Sequence, residues 1–231
     1  MILPTRPEKM IVVAGTGTGV GKTWIAKQLL EAWKSFGCRV AARKPAQSYA
    51  EGTWPTDADV LAGATDEAPE QVCLKNYWYP VDMAPPMAAD ALDMDPPTVN
   101  NLAFSVAWQP GVDIGLVELS GGVRSPQAVD GDGVDLANLL KPHAVVLVTE
   151  AELGCINLVR MSLNGLKNVQ GPDGNPVPVI TVLNRFTTDN DIQRRILEWL
   201  RDQDGIQVVT GLLDGLVPAA RELAGDLIPP D

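Results

Sequence analysis

Continuous apolar runs alternate along the chain with segments in which apolar residues recur every three or four positions. Such runs are typical of strands that are covered on both faces, whereas the longer spacing is typical of helices with one buried face. The predicted strands are 10–14, 39–43, 113–118, 144–149, 177–183 and 206–210. The predicted helices are 24–36, 58–64, 98–108, 134–140, 153–168, 192–200 and a last one from 216. This alternation predicts an α/β fold: a single domain over 1–231 with a doubly wound, mostly parallel sheet and a flexible tail at 1–9.

A glycine-rich segment joins the first predicted strand to the first predicted helix, Gly15-Thr16-Gly17-Thr18-Gly19-Val20-Gly21-Lys22-Thr23. In such a turn, successive backbone N–H groups and the start of the helix bind phosphate. Lys22 adds a positive charge for the outer phosphates, and Thr23 offers a hydroxyl to Mg²⁺. The segment therefore predicts a P-loop, placed directly after the first strand.

The spacing of the glycines separates two kinds of nucleotide site. Gly15 and Gly21 enclose five residues, one more than in the common P-loop. A dinucleotide-binding G-x-G-x-x-G motif does not fit, because its last position is Val20 when counted from Gly15 and Lys22 when counted from Gly17. The pattern favours a mononucleotide site with a loop that is one residue longer than usual.

Polar residues follow the predicted strands at the edge where open parallel sheets bind ligands. Lys44 and Ser48 come after the strand 39–43, and Lys44 is either a site residue or a solvated loop lysine. Glu118 ends the strand 113–118, where the metal-binding carboxylate of a P-loop enzyme belongs. These positions predict a cationic and an anionic side chain beside the P-loop.

Two further positions suggest contacts with a metal and a base. Asp57 and Asp59 open a short helical stretch, where a carboxylate either caps the helix or reaches a metal. Asn184 follows the strand 177–183, and an amide can both donate to and accept from an adenine edge.

Composition limits the partners and the compartment. The chain has 231 residues, a net charge of −11 and a pI near 4.5, which argues against nucleic acid and anionic membrane as partners. Cys38, Cys73 and Cys155 are widely spaced and suggest neither disulfides nor a zinc site. No apolar run approaches the ~20 residues of a membrane span, so we expect a cytoplasmic protein.

Together these motifs resemble those of the dethiobiotin synthetases, ATP-dependent carboxylases of the P-loop superfamily. The similar segments are the long P-loop, Lys44-Pro45-Ala46-Gln47-Ser48, Glu118-Leu119-Ser120-Gly121-Gly122, the segment 153–157 and Val182-Leu183-Asn184. The resemblance also favours Asp57 over Asp59, because Asp57, Ala58 and Leu61 match the family's D-A-x-x-L.

The resemblance implies an activity and its partners. It implies a cyclo-ligase that uses ATP and Mg²⁺ to convert 7,8-diaminopelargonate and CO₂ or bicarbonate to dethiobiotin in biotin biosynthesis. A carbamate and a carbamic-phosphoric anhydride would be the intermediates. It also implies a homodimer in which the helix start at 154–157 binds the substrate carboxylate across the interface.

The implied site residues fall into four groups. They are the catalytic Lys22, Lys44, Thr18 and Ser48; the nucleotide-binding Gly17, Thr18, Gly19, Val20, Gly21, Lys22, Thr23 and Asn184; the substrate-binding Lys44, Ser48, Glu118, Gly121, Gly122, Gly154, Cys155, Ile156 and Asn157; and the metal-binding Thr23, Asp57 and Glu118.

Departures from the family pattern leave alternatives open. Leu119, Ser120 and Arg124 differ from the usual substrate loop, and Leu119 is expected to narrow the diamine pocket. One alternative is a related P-loop ligase with another substrate. Another is a switch-type ATPase that acts as a binding module, although position 16 is threonine instead of the additional lysine usual in such proteins.

Overall fold

A computed structural model describes residues 6–211 and 213–228. The strands are β1 (Lys9–Gly15), β2 (Val40–Arg43), β3 (Gln47–Ser48), β4 (Trp78–Tyr79), β5 (Ile114–Glu118), β6 (Pro126–Ala128), β7 (Gly131–Asp132), β8 (Ala144–Glu150), β9 (Val179–Asn184) and β10 (Val208–Thr210). The α-helices are α1 (Lys22–Ser35), α2 (Asp57–Thr65), α3 (Pro69–Val72), α4 (Pro85–Ala91), α5 (Val99–Ser105), α6 (Gly133–Leu140), α7 (Cys155–Leu166), α8 (Asp191–Glu198) and α9 (Leu213–Ala224). A π-helical turn at Trp199–Gln203 extends α8.

A six-stranded sheet with the order β10-β9-β8-β1-β5-β2 forms the centre of the domain, and its neighbouring strands are all parallel. The chain leaves β1 toward one side of the sheet for β2 and β5 and later returns to the other side for β8, β9 and β10. Ligands bind at such a reversal, beside the carboxyl ends of the strands. The predicted single, doubly wound α/β domain is confirmed.

The two faces of the sheet carry separate hydrophobic cores, because side chains alternate along each strand. Ile11 and Val13 lie in one core with residues of α1, α2 and α9, and the fully buried Trp33 of α1 donates to the carbonyl of Ala220 at 2.8 Å. Val12 lies in the other core with residues of α5 and α6, including Leu136. The packing on both faces explains why the central strands are apolar runs.

The region 49–97 contains more structure than its sequence pattern predicts. Only the helix at 58–64 was predicted there, and it is α2. The structure adds α3, α4 and the short parallel pair β3–β4. These elements are only two to seven residues long, which is too short for a periodic pattern to show in the sequence.

The outer edge of β2 is closed by side chains and a loop. The Glu67 carboxylate accepts a hydrogen bond from the Ala42 N–H at 2.9 Å and pairs with Arg43 at 2.6 Å. The Lys44 N–H donates to the carbonyl of Val72 at 2.8 Å. The outward N–H groups of Ala42 and Lys44 therefore have partners within the chain.

The start of the chain differs from the predicted tail in its described part. Residues 1–5 lie outside the described residues. Pro7 is buried and Lys9 begins β1, so residues 7–9 belong to the folded domain. Within 6–211 and 213–228, no helix has both the length and the apolar character that a bilayer crossing needs.

Candidate active site

The P-loop connects β1 to α1 at the carboxyl edge of the sheet. Gly19 and Gly21 have φ values of 76° and 91°, which glycine adopts without steric strain. Lys22 begins α1, is 7% exposed and donates to the carbonyl of Gly17 at 2.9 Å. The ammonium group therefore folds back over the loop, where a terminal phosphate would meet it.

Lys44 lies between two carboxylates beside the P-loop. Its Nζ is 2.5 Å from Glu118 Oε1 and 2.7 Å from Asp57 Oδ2. The Thr23 hydroxyl is within hydrogen-bond distance of the same carboxylates, at 2.8 Å from Asp57 Oδ1 and 2.9 Å from Glu118 Oε1. Lys44 is 3% exposed and Glu118 0%. Lys44 is thus a buried member of an ionic cluster and not a solvated loop lysine.

Burial and the neighbouring charges shift the pKa values in this cluster. Burial lowers the pKa of Lys22 to about 8, and repulsion from Lys44 acts in the same direction. Burial alone would lower the pKa of Lys44, but the ion pairs with Asp57 and Glu118 outweigh it and raise the pKa. Burial would raise the pKa of Asp57, yet the ion pair with Lys44 lowers it. Lys44 and Asp57 are therefore charged at neutral pH.

Glu118 keeps unused hydrogen-bonding capacity. Its Oε2 is buried and accepts no hydrogen bond from the residues that the structure describes. Burial also raises the pKa of its carboxyl group. A buried carboxylate oxygen without a donor is costly unless a ligand or a cation satisfies it.

The structure distinguishes the two aspartates at the start of α2. Thr56 caps this helix and, with Asp59, forms a reciprocal capping box. The Asp59 carboxylate accepts from the Thr56 N–H at 2.8 Å. Asp59 is therefore occupied by capping, whereas Asp57 faces Thr23 and Lys44.

A cavity of about 460 Å³ lies between the P-loop and the ionic cluster. It brings together all four predicted catalytic residues with several of the predicted nucleotide-, substrate- and metal-binding residues. Its predicted members are Thr18, Gly19, Gly21, Lys22, Thr23, Lys44, Ser48, Asp57, Glu118 and Gly121. Its opposite wall was not predicted and is formed by residues 82–85, Ser125 and Pro126. The only sequence signal for that wall is the irregular, proline-rich character of 49–97, which is typical of loops that cover sites.

Asn184 lies at the end of β9 and packs against the P-loop. Its Nδ2 donates to the carbonyl of Val20 at 2.9 Å. A Cβ at Gly21 would lie 2.0 Å from that same nitrogen. Glycine at position 21 therefore permits this contact. Asn184, which was predicted to read adenine, also fixes the position of the Val20 carbonyl.

Two predicted loop glycines also allow close backbone approach. Gly121 has a φ of 63°, and a Cβ at Gly122 would lie 3.2 Å from the carbonyl oxygen of Thr16. The loop after β5 is thus packed directly on the P-loop, and Gly122 supports this packing without lining the cavity.

The start of α7 lies apart from this cavity. None of Gly154, Cys155, Ile156 and Asn157 belongs to the cavity lining. Gly154 is the N-cap with a φ of 94° and forms no side-chain cap, Cys155 is buried, and Asn157 is exposed. Neighbouring exposed apolar side chains are Leu153, Leu158 and Met161. Within one chain, the predicted carboxylate-binding segment is therefore not part of the P-loop cavity.

The unusual residues of the loop after β5 do not narrow the cavity as expected. Leu119 is 2% exposed and lies in the hydrophobic core, so the expectation for Leu119 was wrong. Ser120 lines the cavity and donates from Oγ to the carbonyl of Ala46 at 2.8 Å. Arg124 points away to pair with Asp132 at 2.9 Å. Alternation along the chain after β5 explains the burial of Leu119.

Comparisons with known proteins identify the family of this chain. A family model described as "AAA domain" matches residues 9–213. The ATP-dependent dethiobiotin synthetase BioD of Nitrosospira multiformis is 32% identical over 163 residues, covering 69% of this chain and 70% of the relative. The protein of the same name from Caulobacter vibrioides is 35% identical over 169 residues, covering 69% and 74%.

Similar solved structures support the fold. A plasmid partition protein from Borrelia burgdorferi has a TM-score of 0.54 at 11% identity, with coverage of 95% of this chain and 97% of that chain. A nucleotide-binding protein from Archaeoglobus fulgidus in complex with ADP has a TM-score of 0.50 at 12% identity, with coverage of 94% and 86%. At these identities the likeness shows the fold alone.

Proposed function

The chain belongs to the AAA-domain family and, within it, to the ATP-dependent dethiobiotin synthetases, and we propose that it closes the ring of dethiobiotin from 7,8-diaminopelargonate. Membership of this family makes it an ATP-dependent cyclo-ligase that acts on small molecules in biotin biosynthesis. The observation that carries the proposal is the buried Lys44, which lies between Asp57 and Glu118 and lines the same cavity as the P-loop lysine Lys22.

The reaction that fits this arrangement has three steps. One amine of the substrate adds to CO₂ and loses a proton, which gives a carbamate. A carbamate oxygen then attacks the γ-phosphorus of ATP, and ADP leaves. Finally the second amine attacks the carbonyl carbon of the carbamic-phosphoric anhydride, so that phosphate leaves and the cyclic urea closes.

Lys22 and Lys44 suit the second step, in which two anions must meet. Lys22 folds back over the P-loop, and Lys44 and Ser48 line the same cavity beside it. Preorganised positive charges of this kind stabilise the transition state for phosphoryl transfer. In this proposal Lys44 and Ser48 contact the carbamate, while Thr18 contacts the phosphate and the substrate.

The oxygen donors of the cluster suit Mg²⁺. Thr23, Asp57 and Glu118 would hold the ion, and the free Oε2 of Glu118 would find in it the partner that it lacks among the described residues. When bound, the ion would neutralise charge on the β- and γ-phosphates. Asp57 and Glu118 would then face two positive charges, the ion and Lys44.

The remaining predicted residues extend the site on two sides. Asn184 would read the adenine edge, with the backbone of Gly17 to Gly21 around the phosphates. The start of α7 would bind the substrate carboxylate of a second protomer in a homodimer. Support for the dimer comes from the exposed Leu153 and Met161, which are 78% and 65% exposed. The unpaired Cys38, Cys73 and Cys155 accord with a cytoplasmic location.

The test is mass-spectrometric detection of dethiobiotin after incubation with 7,8-diaminopelargonate, bicarbonate, Mg²⁺ and ATP. Phosphate release is measured in parallel. We expect one dethiobiotin for each phosphate released. Nucleotide binding without this product would overturn the assignment of 7,8-diaminopelargonate as the substrate. The alternatives would then be a P-loop ligase that acts on another substrate and a switch-type ATPase.

A further inference from the structure

Arg185 follows the predicted base-reading residue and reaches back to the P-loop. Its Nη2 donates to the carbonyl of Gly19 at 3.2 Å, and its Nη1 is 2.7 Å from Glu150 Oε2. Glu150 ends β8 and is the register partner of Asn184 on β9. The Arg185 side chain is 56% exposed and that of Glu150 is 30% exposed, so both remain open to a ligand.

The backbone at Arg185 is held in a rare conformation. Its φ is 54°, in the left-handed region that residues with a side chain seldom adopt. Gln193 of α8 donates from Nε2 to the Arg185 carbonyl at 3.4 Å and accepts from the Thr187 N–H at 2.7 Å. Such conformations persist where surrounding contacts enforce them, and they occur often at functional sites.

Arg185 lies between the proposed base contact and the proposed phosphate-binding loop. Asn184, its neighbour in sequence, is proposed to contact the base, and Gly19 belongs to the loop proposed to bind phosphate. In a nucleotide, the ribose joins these two groups. A guanidinium carries five N–H donors, and the two contacts with Gly19 and Glu150 leave further donors available within the described structure.

We infer that Arg185 and Glu150 form the ribose subsite of the nucleotide. Arg185 donates to ribose oxygens, and the Glu150 carboxylate both orients Arg185 and accepts from a ribose hydroxyl. This inference rests on the proposed nucleotide site and adds two residues that the P-loop motif does not include.

Binding of ADP and of inorganic tripolyphosphate separates a ribose contact from a phosphate contact. Both dissociation constants are measured for the full chain by calorimetry, for the wild type, Arg185→Met, Arg185→Lys and Glu150→Gln. The matched control is Arg195→Met, which removes an exposed arginine that pairs with Asp191 on the same helix. The midpoint of thermal unfolding without ligand is recorded for each variant.

For Arg185→Met we expect the Kd for ADP to rise about tenfold or more, the change that loss of a charge-assisted hydrogen bond produces. The Kd for tripolyphosphate should stay within about twofold, and the unfolding midpoint should not change. Arg185→Lys should recover part of the loss, and Glu150→Gln should show a smaller loss. In turnover assays, KM for ATP should rise while kcat stays near the wild-type value.

Two results would overturn the ribose assignment. Equal losses for ADP and tripolyphosphate would make Arg185 a phosphate contact or a support of the P-loop. Unchanged ADP binding would remove Arg185 from the site altogether. If the wild type bound neither ligand, the proposed nucleotide site itself would be wrong, and this inference with it.

Discussion

Charged side chains at the two edges of the central sheet differ in their burial and in their hydrogen-bond partners. At the amino edge, Asp113 accepts from the Arg39 N–H at 2.7 Å and pairs with the Arg39 guanidinium at 2.7 Å. Beside it, the Met10 N–H donates to Nδ1 of His143 at 2.9 Å. The side chains at this edge satisfy backbone groups where strands begin.

At the carboxyl edge the charged groups are buried, and one of their oxygen atoms has no hydrogen-bond partner among the described residues. Lys44 and Glu118 are almost inaccessible to solvent, and one oxygen of Glu118 has no donor among the described residues. Burying charge in this way costs stability unless every group is satisfied. The charged groups at the amino edge therefore contribute to folding, whereas those at the carboxyl edge retain hydrogen-bonding capacity for a ligand.

The largest effect is expected from Lys44→Ala. It removes the cation between the two carboxylates, so we expect a loss of roughly 3 kcal/mol or more of transition-state stabilisation, which is more than a hundredfold in turnover. Formation of dethiobiotin is the measurement. Lys34→Ala is the control, because Lys34 pairs with Asp66 far along α1 from the P-loop. Turnover at the wild-type level in Lys44→Ala would remove Lys44 from the reaction.

A smaller effect is expected from Gly21→Ala. The new Cβ would lie 2.0 Å from Asn184 Nδ2 at a φ of 91°, so either the P-loop or Asn184 must move. Backbone strain alone costs about 1–3 kcal/mol, and we expect ADP affinity to fall at least tenfold. Gly19→Ala provides the control, because its φ is also positive but no atom lies within 4 Å of the new Cβ. Equal losses in the two variants would mean that contact with Asn184 is unimportant.

The double variant Lys44→Met/Glu118→Leu tests whether the carboxyl edge costs stability. Replacing a buried ion pair with apolar side chains is often neutral or stabilising by about 1–4 kcal/mol, whereas removal of one partner is destabilising. We expect both single variants to be less stable than the wild type and the double variant to be at least as stable, although inactive. Denaturant unfolding without nucleotide or metal measures this. A double variant less stable than either single one would show that the cluster supports the fold.

The smallest effect is expected from Asp113→Asn at the amino edge. We expect a loss of about 1 kcal/mol or less at neutral pH, with turnover unchanged, because this ion pair is partly exposed. The hydrogen bond from Arg39 lowers the pKa of Asp113, so its contribution is fully present above the unfolded value of about 3.9 and disappears as the pH falls through the folded value. Measuring the free energy of unfolding of the wild type and Asp113→Asn across this pH range tests the predicted direction of the pH dependence. A stability difference that grows at low pH would contradict it.

The core of the fold and the position of the P-loop were predictable because their signals are local. Each central strand is buried on both faces and therefore reads as an apolar run, as with Ala144–Glu150. The glycines and Lys22 of the P-loop are adjacent in sequence. The position of Glu118 follows from strand direction alone, since the carboxyl ends of parallel strands meet at one edge.

Other features depend on contacts that are distant in sequence. Asp57 and Asp59 both open α2, and only the capping box with Thr56 shows which of them faces the site. The wall formed by residues 82–85 comes from a proline-rich loop without periodicity. The role of the segment 154–157 depends on a second chain, and it remains a prediction.

The closed edge of β2 also has a consequence for association between copies of this protein. An unpaired edge strand offers donors and acceptors to another chain and so favours sheet extension and aggregation. Here the donors of Ala42 and Lys44 are already bonded to Glu67 and Val72. Intermolecular strand addition at Ala42 and Lys44 would require these bonds to break, so this part of the edge is protected against sheet extension.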